Sequence, residues 1–184
     1  MGFMEQYKTQ IIIGVVVVVL IIIYNTMLKK RNKVKTAFSS LDVMLKKRYD
    51  LMPNLVSMAQ KYMAHESDLL TRITELRTKA QNTKDIDESI EINNQIDDTM
   101  RKLNVSVEGY PELKSNQNFL HMQAVLNDIE EQISAARRTY NAHVEVYNTF
   151  IGMIPMNIFA LVFRFKKFKQ FEISEVEREN KIWM

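Results

Sequence analysis

The clearest pattern in the chain is a long apolar run near the N-terminus that ends in a cluster of basic residues. Residues 11–23 include no polar side chain, and three bases follow directly after residue 28. A helix needs about 20 mostly apolar residues to cross the ~30 Å hydrocarbon core of a bilayer. A soluble domain this polar offers no cavity for a helix that is apolar on every side. The pattern therefore predicts a transmembrane helix over residues 10–28, after a short outer tail of residues 1–9.

Beyond the apolar run, apolar residues recur at spacings of three and four, the period of helices with one buried face. Pro53 interrupts this pattern, so the first helix either kinks there or ends and is followed by a second, packed helix. Asp85 or Asp87 is positioned to cap a later helix. The predicted helices cover about residues 29–52, 54–81, 85–104 and 112–152. Since none can bury its apolar stripe alone, we predict an all-α protein whose transmembrane helix continues into an antiparallel up-and-down four-helix bundle, residues 29–152.

The segment of residues 153–184 combines phenylalanines with lysines and arginines. If alternate helices of the bundle run away from and back to the membrane, this segment returns to the bilayer. Phenylalanine beside lysine suits an interface, where rings reach the acyl boundary and charges remain among phosphates. The rings could equally cap the base of the bundle core. The residues expected near the membrane are Lys29, Lys30, Arg31, Phe163, Arg164, Phe165, Lys166 and Lys167.

Charge and composition refine this topology. The net charge is +3, and the flank of the apolar run that is rich in lysine and arginine is expected to stay in the cytoplasm, with the N-terminus outside. Basic residues near the surface also favour contact with anionic membrane lipid. Nucleic-acid binding is disfavoured because no base-reading motif or interleaved aromatic residue accompanies the charge. The absence of cysteine suits a reducing compartment, and a content of only four glycines and three prolines favours helices.

No motif in the sequence carries catalytic or metal chemistry. His65 and Glu66 resemble the start of an HExxH zinc motif, but Leu69 stands where its second histidine is required. His121 and His143 have no glutamate three residues before them, so a carboxylate-bridged metal site is not expected either. We therefore predict no metal, no cofactor, no catalytic residue and no small-molecule substrate, and a protein that is not an enzyme.

Eight residues are candidates for a polar layer inside the bundle: Asp42, Arg48, Asp50, Arg137, Tyr140, Asn141, Tyr147 and Asn148. The two Tyr-Asn pairs are one heptad apart, so they share a helix face. Such a strip could bind a sugar or a peptide, but buried Asn and Tyr at heptad spacing more often fix helix register by hydrogen bonds across a bundle. The charged members of the set must be paired if they are buried.

Several blocks of the sequence resemble the LemA family of bacterial membrane proteins. The most specific block is residues 37–56, and further matches are Tyr62 with His65-Glu66, Tyr110-Pro111-Glu112-Leu113-Lys114 with Phe119-Leu120, Glu130, Ile133, Arg137, Tyr140-Asn141, Tyr147-Asn148, Pro155, Ala160, Phe163, Phe165 and Phe171-Glu172. Two positions depart from the family pattern. Asp128-Ile129 replaces a small Gly-Thr pair, and Arg164 replaces a glycine, which puts a tight turn in doubt.

The resemblance implies a single-span bacterial protein with a helical bundle and no established enzymatic activity, in a family some of whose members accompany membrane metallopeptidases or membrane-remodelling systems. With the residue patterns, it predicts a non-enzymatic inner-membrane scaffold that self-assembles and associates with an integral-membrane partner, such as a metallopeptidase. The β-branched span lacks a small-xxx-small pattern, which favours ring-like or partner-filled packing of a homo-oligomer over a close pair. The alternative is a transmembrane signalling or sensor subunit, in which the first helix transmits a signal by sliding or through a kink at Pro53.

Overall fold

The computed structural model describes residues 2–171, with side chains from Tyr7 onward. Its helices are α1 (Gly2–Gln60), α2 (Ser67–Asn82), α3 (Ile86–Val107), α4 (Pro111–Lys114), α5 (Gln117–Gly152) and α6 (Met156–Val162), with a 3-10 turn at Ala64–Glu66. Residues 2–171 contain no strand, so the predicted all-α class with a long N-terminal apolar helix is confirmed. The up-and-down four-helix arrangement stays a prediction.

Of the two alternatives at Pro53, the structure has a helix α1 that does not end there. A proline has no N–H, so within a helix it leaves the carbonyl four residues earlier without its donor. That carbonyl belongs to Tyr49, and it accepts a hydrogen bond of 2.8 Å from Nε of Arg77 on α2. A donor from another helix thus replaces the missing one, and α1 continues to Gln60. The division expected between residues 52 and 54 lies at residues 61–66 instead.

Two other helix boundaries follow local capping chemistry. Asp85, one of the two predicted caps, begins α3: its side chain accepts a hydrogen bond of 3.0 Å from the backbone N–H three residues further on. The fourth predicted helix, 112–152, is divided into α4 and α5. Asn116 lies between them, and its side chain accepts hydrogen bonds from the N–H groups of Asn118 and Phe119 at 3.0 and 3.2 Å. These bonds satisfy donors that the first turn of α5 leaves free.

The described chain divides into two compact units. Of the described residues, unit 1 contains 2–37 and 142–168, and unit 2 contains 38–141 and 169–171. Unit 2 has the larger apolar core, with side chains that are almost fully buried at Leu41, Leu45, Met52, Leu55, Leu70, Ile73, Leu76, Ile90, Ile96, Leu103, Ile133 and Tyr140. The buried set of unit 1 includes Met27, Val34, Val144, Tyr147, Ile151 and Ala160.

The first half of α1 has the length and composition of a membrane span. Its most apolar window has a mean hydropathy of 2.9, and only 6% of that window is buried. The core helix of a soluble protein would be mostly covered, whereas Ile11 and Ile22 expose 64% and 58% of their surface here. Among the described residues, α1 is the one unbent helix that meets the length and hydropathy criteria. The described residues therefore include one N-terminal apolar helix suited to anchoring the protein in a membrane.

Candidate functional site

Unit 2 buries an arginine that several polar side chains hold in place. Arg48 of α1 exposes only 2% of its surface. Its Nη1 donates to Asp97 Oδ1 at 2.6 Å and to Glu130 Oε2 at 2.9 Å, and its Nη2 donates to Asn93 Oδ1 at 2.7 Å. The other oxygen of Asp97 lies 2.8 Å from Nη1 of Arg137. We call these five residues the Arg48 network.

Two guanidinium groups and two carboxylates make up the charges of the Arg48 network, so they balance. Burial by itself lowers the pKa of Arg48, but the carboxylates of Asp97 and Glu130 outweigh this effect, and the pKa of the guanidinium is raised. Burial also raises the pKa of the neighbouring Tyr49 phenol, whose hydroxyl donates to Asn93 Oδ1 at 2.8 Å. Buried charges are tolerated when paired in this way, and removing one partner leaves the other uncompensated.

Only part of the predicted polar layer belongs to this network. Arg48 and Arg137 meet through a shared carboxylate, as buried charges require. Asp42 instead pairs with Lys46, one helical turn away, at 2.6 Å on the surface, and Asp50 is exposed, so neither carboxylate joins the layer. The structure adds Asn93, Asp97 and Glu130. Asn93 and Asp97 are four residues apart, which places both on one helix face, so their spacing could have indicated that they belong to one site.

The two Tyr-Asn pairs bind the backbone of a non-helical segment, residues 165–171, which we call the strap. In unit 1, the Tyr147 hydroxyl donates to the Lys166 carbonyl at 3.0 Å. The Asn148 side chain pairs with both backbone groups of Phe168: its Nδ2 donates to the carbonyl at 2.9 Å, and its Oδ1 accepts from the N–H at 3.1 Å. The Phe168 and Tyr147 rings also pack together, with centroids 5.4 Å apart.

The second pair repeats this pattern within unit 2. The Tyr140 hydroxyl donates to the Lys169 carbonyl at 2.9 Å, and burial, with the charge of Asp87, raises the pKa of this phenol. Asn141 Nδ2 donates to the Phe171 carbonyl at 3.0 Å, and its Oδ1 accepts from the Phe171 N–H at 2.9 Å. The hydrogen bonds of both pairs therefore go to the backbone of the strap. The sequence had favoured hydrogen bonds between helices that fix their register.

Arg164 forms a tight turn at a position where the LemA resemblance implies a glycine. Its φ is 56°, in the left-handed region, which costs a residue with a side chain roughly 1–2 kcal/mol. The Phe165 N–H donates to the Ala160 carbonyl at 2.8 Å, and the Arg164 N–H donates to the Leu161 carbonyl at 3.2 Å. This is the bond pair of a Schellman motif, which ends α6. The turn that the substitution put in doubt is present.

Two of the basic residues expected near the membrane, Lys30 and Arg31, lie in unit 1 beside aromatic rings. Arg31 lies with its guanidinium carbon 5.7 Å from the centre of the Phe165 ring, and Lys30 Nζ lies 4.9 Å from that of Phe150. Both distances are within cation–π range. The Phe163 ring contacts that of Tyr24, near the end of the predicted span, with centroids 5.2 Å apart. The exposed members of the expected set include Lys29, Arg164, Lys166 and Lys167.

Unit 1 also exposes a group of aliphatic side chains where α5 bends into α6. The two helices meet at 95°, so the chain turns sharply here. Ile154 and Leu161 expose 84% and 81% of their surface. By contrast, the strap rings of Phe165 and Phe168 are half buried, and that of Phe171 is buried. We call the exposed aliphatic set the α6 apolar surface; it comprises Met153, Ile154, Ile158, Leu161 and Val162.

The side chains of the Arg48 network and of the Tyr-Asn pairs hold other parts of the chain in fixed positions. Among residues 2–171, no three His, Cys, Asp or Glu side chains are arranged to hold a metal ion. An arginine guanidinium does not deprotonate in proteins, so Arg48 acts as a fixed charge and a donor. The Arg48 network ties α1, α3 and α5 within unit 2, and the Tyr-Asn pairs hold the strap.

Comparisons with known proteins agree with this architecture. Residues 37–182 match the model of the LemA family. Protein LemA of Metamycoplasma hominis is 28% identical over 156 residues, which cover 84% of this chain and 71% of that protein. Magnetosome protein MamQ 2 of Paramagnetospirillum magneticum is 25% identical over 175 residues, covering 81% of this chain but only 64% of that relative. Magnetosome protein MamQ of Magnetospirillum gryphiswaldense is 24% identical over 201 residues, covering 91% of this chain and 74% of that relative.

None of these names denotes an enzyme, and a membrane-associated protein is what the relatives and the apolar span of α1 both indicate. The family match covers well over half of the chain, including the Arg48 network, the Tyr-Asn pairs and the α6 apolar surface. The chain belongs to the LemA family.

Proposed function

We propose that this protein is a non-enzymatic scaffold of the bacterial inner membrane, which self-assembles through its span and associates with an integral-membrane partner. The observation that carries this proposal is the uncovered β-branched wall of α1, where Val16 and Val18 expose 51% and 55% of their surface. β-Branched side chains are stiff and lose little entropy when they interlock, and packing of this kind drives association of helices in lipid. A membrane metallopeptidase is the partner class that the family resemblance favours.

Mass photometry of the full chain in a mild non-ionic detergent tests self-assembly. We expect particles larger than a dimer, and a different size when residues 11–23 are replaced by leucines. The polyleucine span still crosses a bilayer, so a change of size reports packing between spans and leaves anchoring intact. A monomer at micromolar concentration would contradict the scaffold.

The partner is tested separately by chemical cross-linking in native membranes before solubilisation. We expect the cross-linked product to contain an integral-membrane protein, and the polyleucine span to reduce its yield. Recovery of homo-oligomer alone would remove the partner from the proposal and leave self-assembly standing.

The basic residues after the span support an orientation with the N-terminus outside and the rest of the chain in the cytoplasm, since the side richer in lysine and arginine is retained there. The chain has no cysteine, so single cysteines report topology without background. In intact cells, an impermeant maleimide should label Thr9→Cys but not Asn82→Cys. After the cells are opened both should react. The opposite pattern in intact cells would reverse the orientation.

The α6 apolar surface supports contact with membrane lipid. Phe163 directly follows Val162 of this surface in the sequence, and its ring contacts that of Tyr24 near the end of the proposed span, which supports a position close to the bilayer. Exposed apolar surface of this kind marks a membrane or protein contact, and the exposed Lys166 and Lys167 suit anionic headgroups at its edge. The aliphatic residues, more than the packed strap rings, are the part of the tail that we assign to lipid.

An environment-sensitive fluorophore on Leu161→Cys tests this assignment in liposomes that contain the full chain. We expect blue-shifted emission and quenching by lipids with nitroxide groups on their acyl chains. The same fluorophore on Ser115→Cys, in the exposed turn after α4, is the matched control and should report water. Equal spectra from the two positions would show that the α6 apolar surface faces water or protein.

A transmembrane signalling or sensor subunit is the second candidate, and the unbroken helix α1 favours it. A transmitting helix must continue from the span into the rest of the protein, and α1 runs through Pro53 to Gln60. The particle size discriminates between the two functions. A monomer whose span tolerates polyleucine would favour the sensor over the scaffold.

A further inference from the structure

Unit 2 contains a cavity beside the Arg48 network that the proposed scaffold function does not use. Its volume is about 450 Å³, within the range of small-molecule sites, which is roughly 300–1,000 Å³. The polar part of its lining includes Arg48, Asp97, Asn104, Asn127, Glu130 and Arg137. The cavity is open to solvent on one side, since the Glu130 side chain is 47% exposed. A solute can therefore enter the cavity beside the two guanidinium groups, whose side chains are themselves only 3% and 14% exposed.

Both arginines of the network have donors without an acceptor. Nε of Arg48 and both Nε and Nη2 of Arg137 are buried and make no hydrogen bond to any residue that the structure describes. A buried donor left unpaired costs about 1–3 kcal/mol. Buried polar groups are almost always paired, so an acceptor from outside the chain is the expected complement of these three N–H groups.

The free donors of Arg137 define the shape of that acceptor. Its Nη1 is used by Asp97, and the face of its guanidinium lies over the Phe171 ring, with the central carbon 5.0 Å from the ring centroid. The remaining Nε and Nη2 lie along one edge of the planar group. Such an edge matches two oxygens of a single carboxylate or phosphate, which binds through two parallel hydrogen bonds.

The charge of the cavity selects between these two anions. The lining holds two carboxylates, Asp97 and Glu130, and a third arginine, Arg101, besides Arg48 and Arg137, so it carries one positive charge in excess. A single carboxylate balances that charge, whereas a phosphate dianion exceeds it. A singly charged carboxylate gains the bidentate hydrogen bonds and suffers less repulsion from the two acids. The lining also includes Leu55, Met100 and Leu126, which offer an apolar surface to the carbon chain of an acid.

We propose that this cavity binds a small organic monocarboxylate, with its carboxylate on the Nε–Nη2 edge of Arg137 and its carbon chain against Leu55, Met100 and Leu126. Because that edge is buried in the unbound chain, the side chains that cover it move aside when the ligand binds. The raised pKa of Arg48 fits the role of a fixed charge beside the ligand. The proposal is independent of the scaffold function, because it concerns unit 2 alone and requires neither self-assembly nor a membrane partner.

Equilibrium dialysis of the full chain in a non-ionic detergent tests the proposal, with radiolabelled pentanoate as the probe. We expect saturable binding at one site per chain. Unlabelled pentanoate should displace the probe, whereas pentanamide, which has the same shape without the charge, and inorganic phosphate should not. Detergent micelles without protein correct for partition of the probe.

Arg137→Lys is the informative variant, because it keeps the positive charge and removes the two-donor edge. We expect the dissociation constant for pentanoate to rise about tenfold or more, the loss of at least one charge-assisted hydrogen bond. Arg138→Lys, the same change on the exposed neighbour, is the matched control and should bind as the wild type does. Far-ultraviolet circular dichroism establishes that each variant is folded before its binding is measured.

The wild-type competition makes the outcome decisive even if Arg137→Lys does not fold. Displacement of the probe by pentanamide as well as by pentanoate, equal binding by the two lysine variants, or no saturable binding at all would overturn the proposal. In those cases water fills the cavity and supplies the acceptors. Displacement by phosphate in preference to pentanoate would also overturn it, because the charge argument would then be wrong.

Discussion

Unit 1 and unit 2 depart from the usual distribution of polarity in opposite ways. Unit 2 buries a charged side chain, Arg48, at 2% exposure, whereas unit 1 exposes aliphatic ones, with Leu161 at 81%. In unit 2 the chain supplies its own compensation, since Asn93, Asp97 and Glu130 pair with the guanidinium. In unit 1 no residue that the structure describes covers the α6 apolar surface. Unit 2 is thus stabilised internally, whereas the exposed aliphatic set of unit 1 is consistent with the proposal that this surface contacts lipid.

The same substitution in both units gives the largest expected contrast. Leu45 of unit 2 is fully buried, so Leu45→Asp places an unpaired carboxylate in the core and should cost several kcal/mol of a total that is typically about 5–15 kcal/mol. Leu161→Asp should leave the melting midpoint almost unchanged, because its side chain is already exposed. Thermal unfolding of the full chain in non-ionic detergent, followed by circular dichroism, measures both. Similar midpoints for the two variants would erase the difference between the units.

Removing the buried charge is the next largest effect. Arg48→Ala leaves Asp97 and Glu130 without their main partner, and breaking a buried pair in this way costs about 3–5 kcal/mol. Lys47→Ala, on the exposed neighbour, is the control and should change the free energy of unfolding by no more than about 0.5 kcal/mol. Urea unfolding in detergent gives both values. If the two variants unfold at the same urea concentration, the Arg48 network does not stabilise unit 2.

The Tyr-Asn pairs allow a comparison of equivalent contacts in the two units. Asn148→Ala in unit 1 and Asn141→Ala in unit 2 each remove two hydrogen bonds to the strap, worth about 1–3 kcal/mol together. We also expect trypsin to cut faster after Lys167 and Lys169 once the strap is released. Asn118→Ala, at an exposed site on α5, should alter neither property. A strap that resists trypsin in both variants would mean that packing of its rings suffices to hold it.

The smallest expected effect is a gain of stability at the end of α6. Arg164→Gly removes the left-handed strain of roughly 1–2 kcal/mol and adds the conformational entropy of glycine, about 0.5–1 kcal/mol, so the net gain is about 0.5–1 kcal/mol. Arg164→Ala removes the charge but keeps the strain, and should give no gain. The two urea midpoints separate backbone from charge. Equal gains would attribute the effect to loss of the charge.

Periodicity predicted the helical class, the apolar span and most of the buried stripes, because these depend on spacing along one segment. It left open whether the first helix kinks or ends at Pro53, and the structure has one helix that continues through this residue. The sequence shows that proline lacks an N–H, but it does not show that Arg77, 28 residues from Tyr49, will supply the missing donor. The same limit applies to Arg164. The family pattern has a glycine at this position, which put a tight turn in doubt, but the backbone forms that turn.

The candidate site was predicted in part for the same reason. Arg48, Arg137 and the Tyr-Asn pairs stood out because charge or heptad spacing marks them locally, but their partners could not be identified. Asp97 lies 49 residues from Arg48, and Glu130 lies 82 residues away. The heptad spacing of Asn148 did not identify the strap backbone as its hydrogen-bond partner, since a side-chain amide can form hydrogen bonds with a neighbouring helix or with an extended backbone equally well.

The sequence by itself determined that this chain is helical, that residues 11–23 require an apolar environment, and that no recognised catalytic motif is present. These properties follow from composition and short-range spacing, which any fold of the chain must accommodate. The tertiary structure decided which polar groups meet: Arg48 with its carboxylates, Arg77 with the carbonyl that Pro53 frees, and the asparagines with the strap. Such pairings join residues far apart in sequence, and only packing brings them within the 3 Å or so that a hydrogen bond requires.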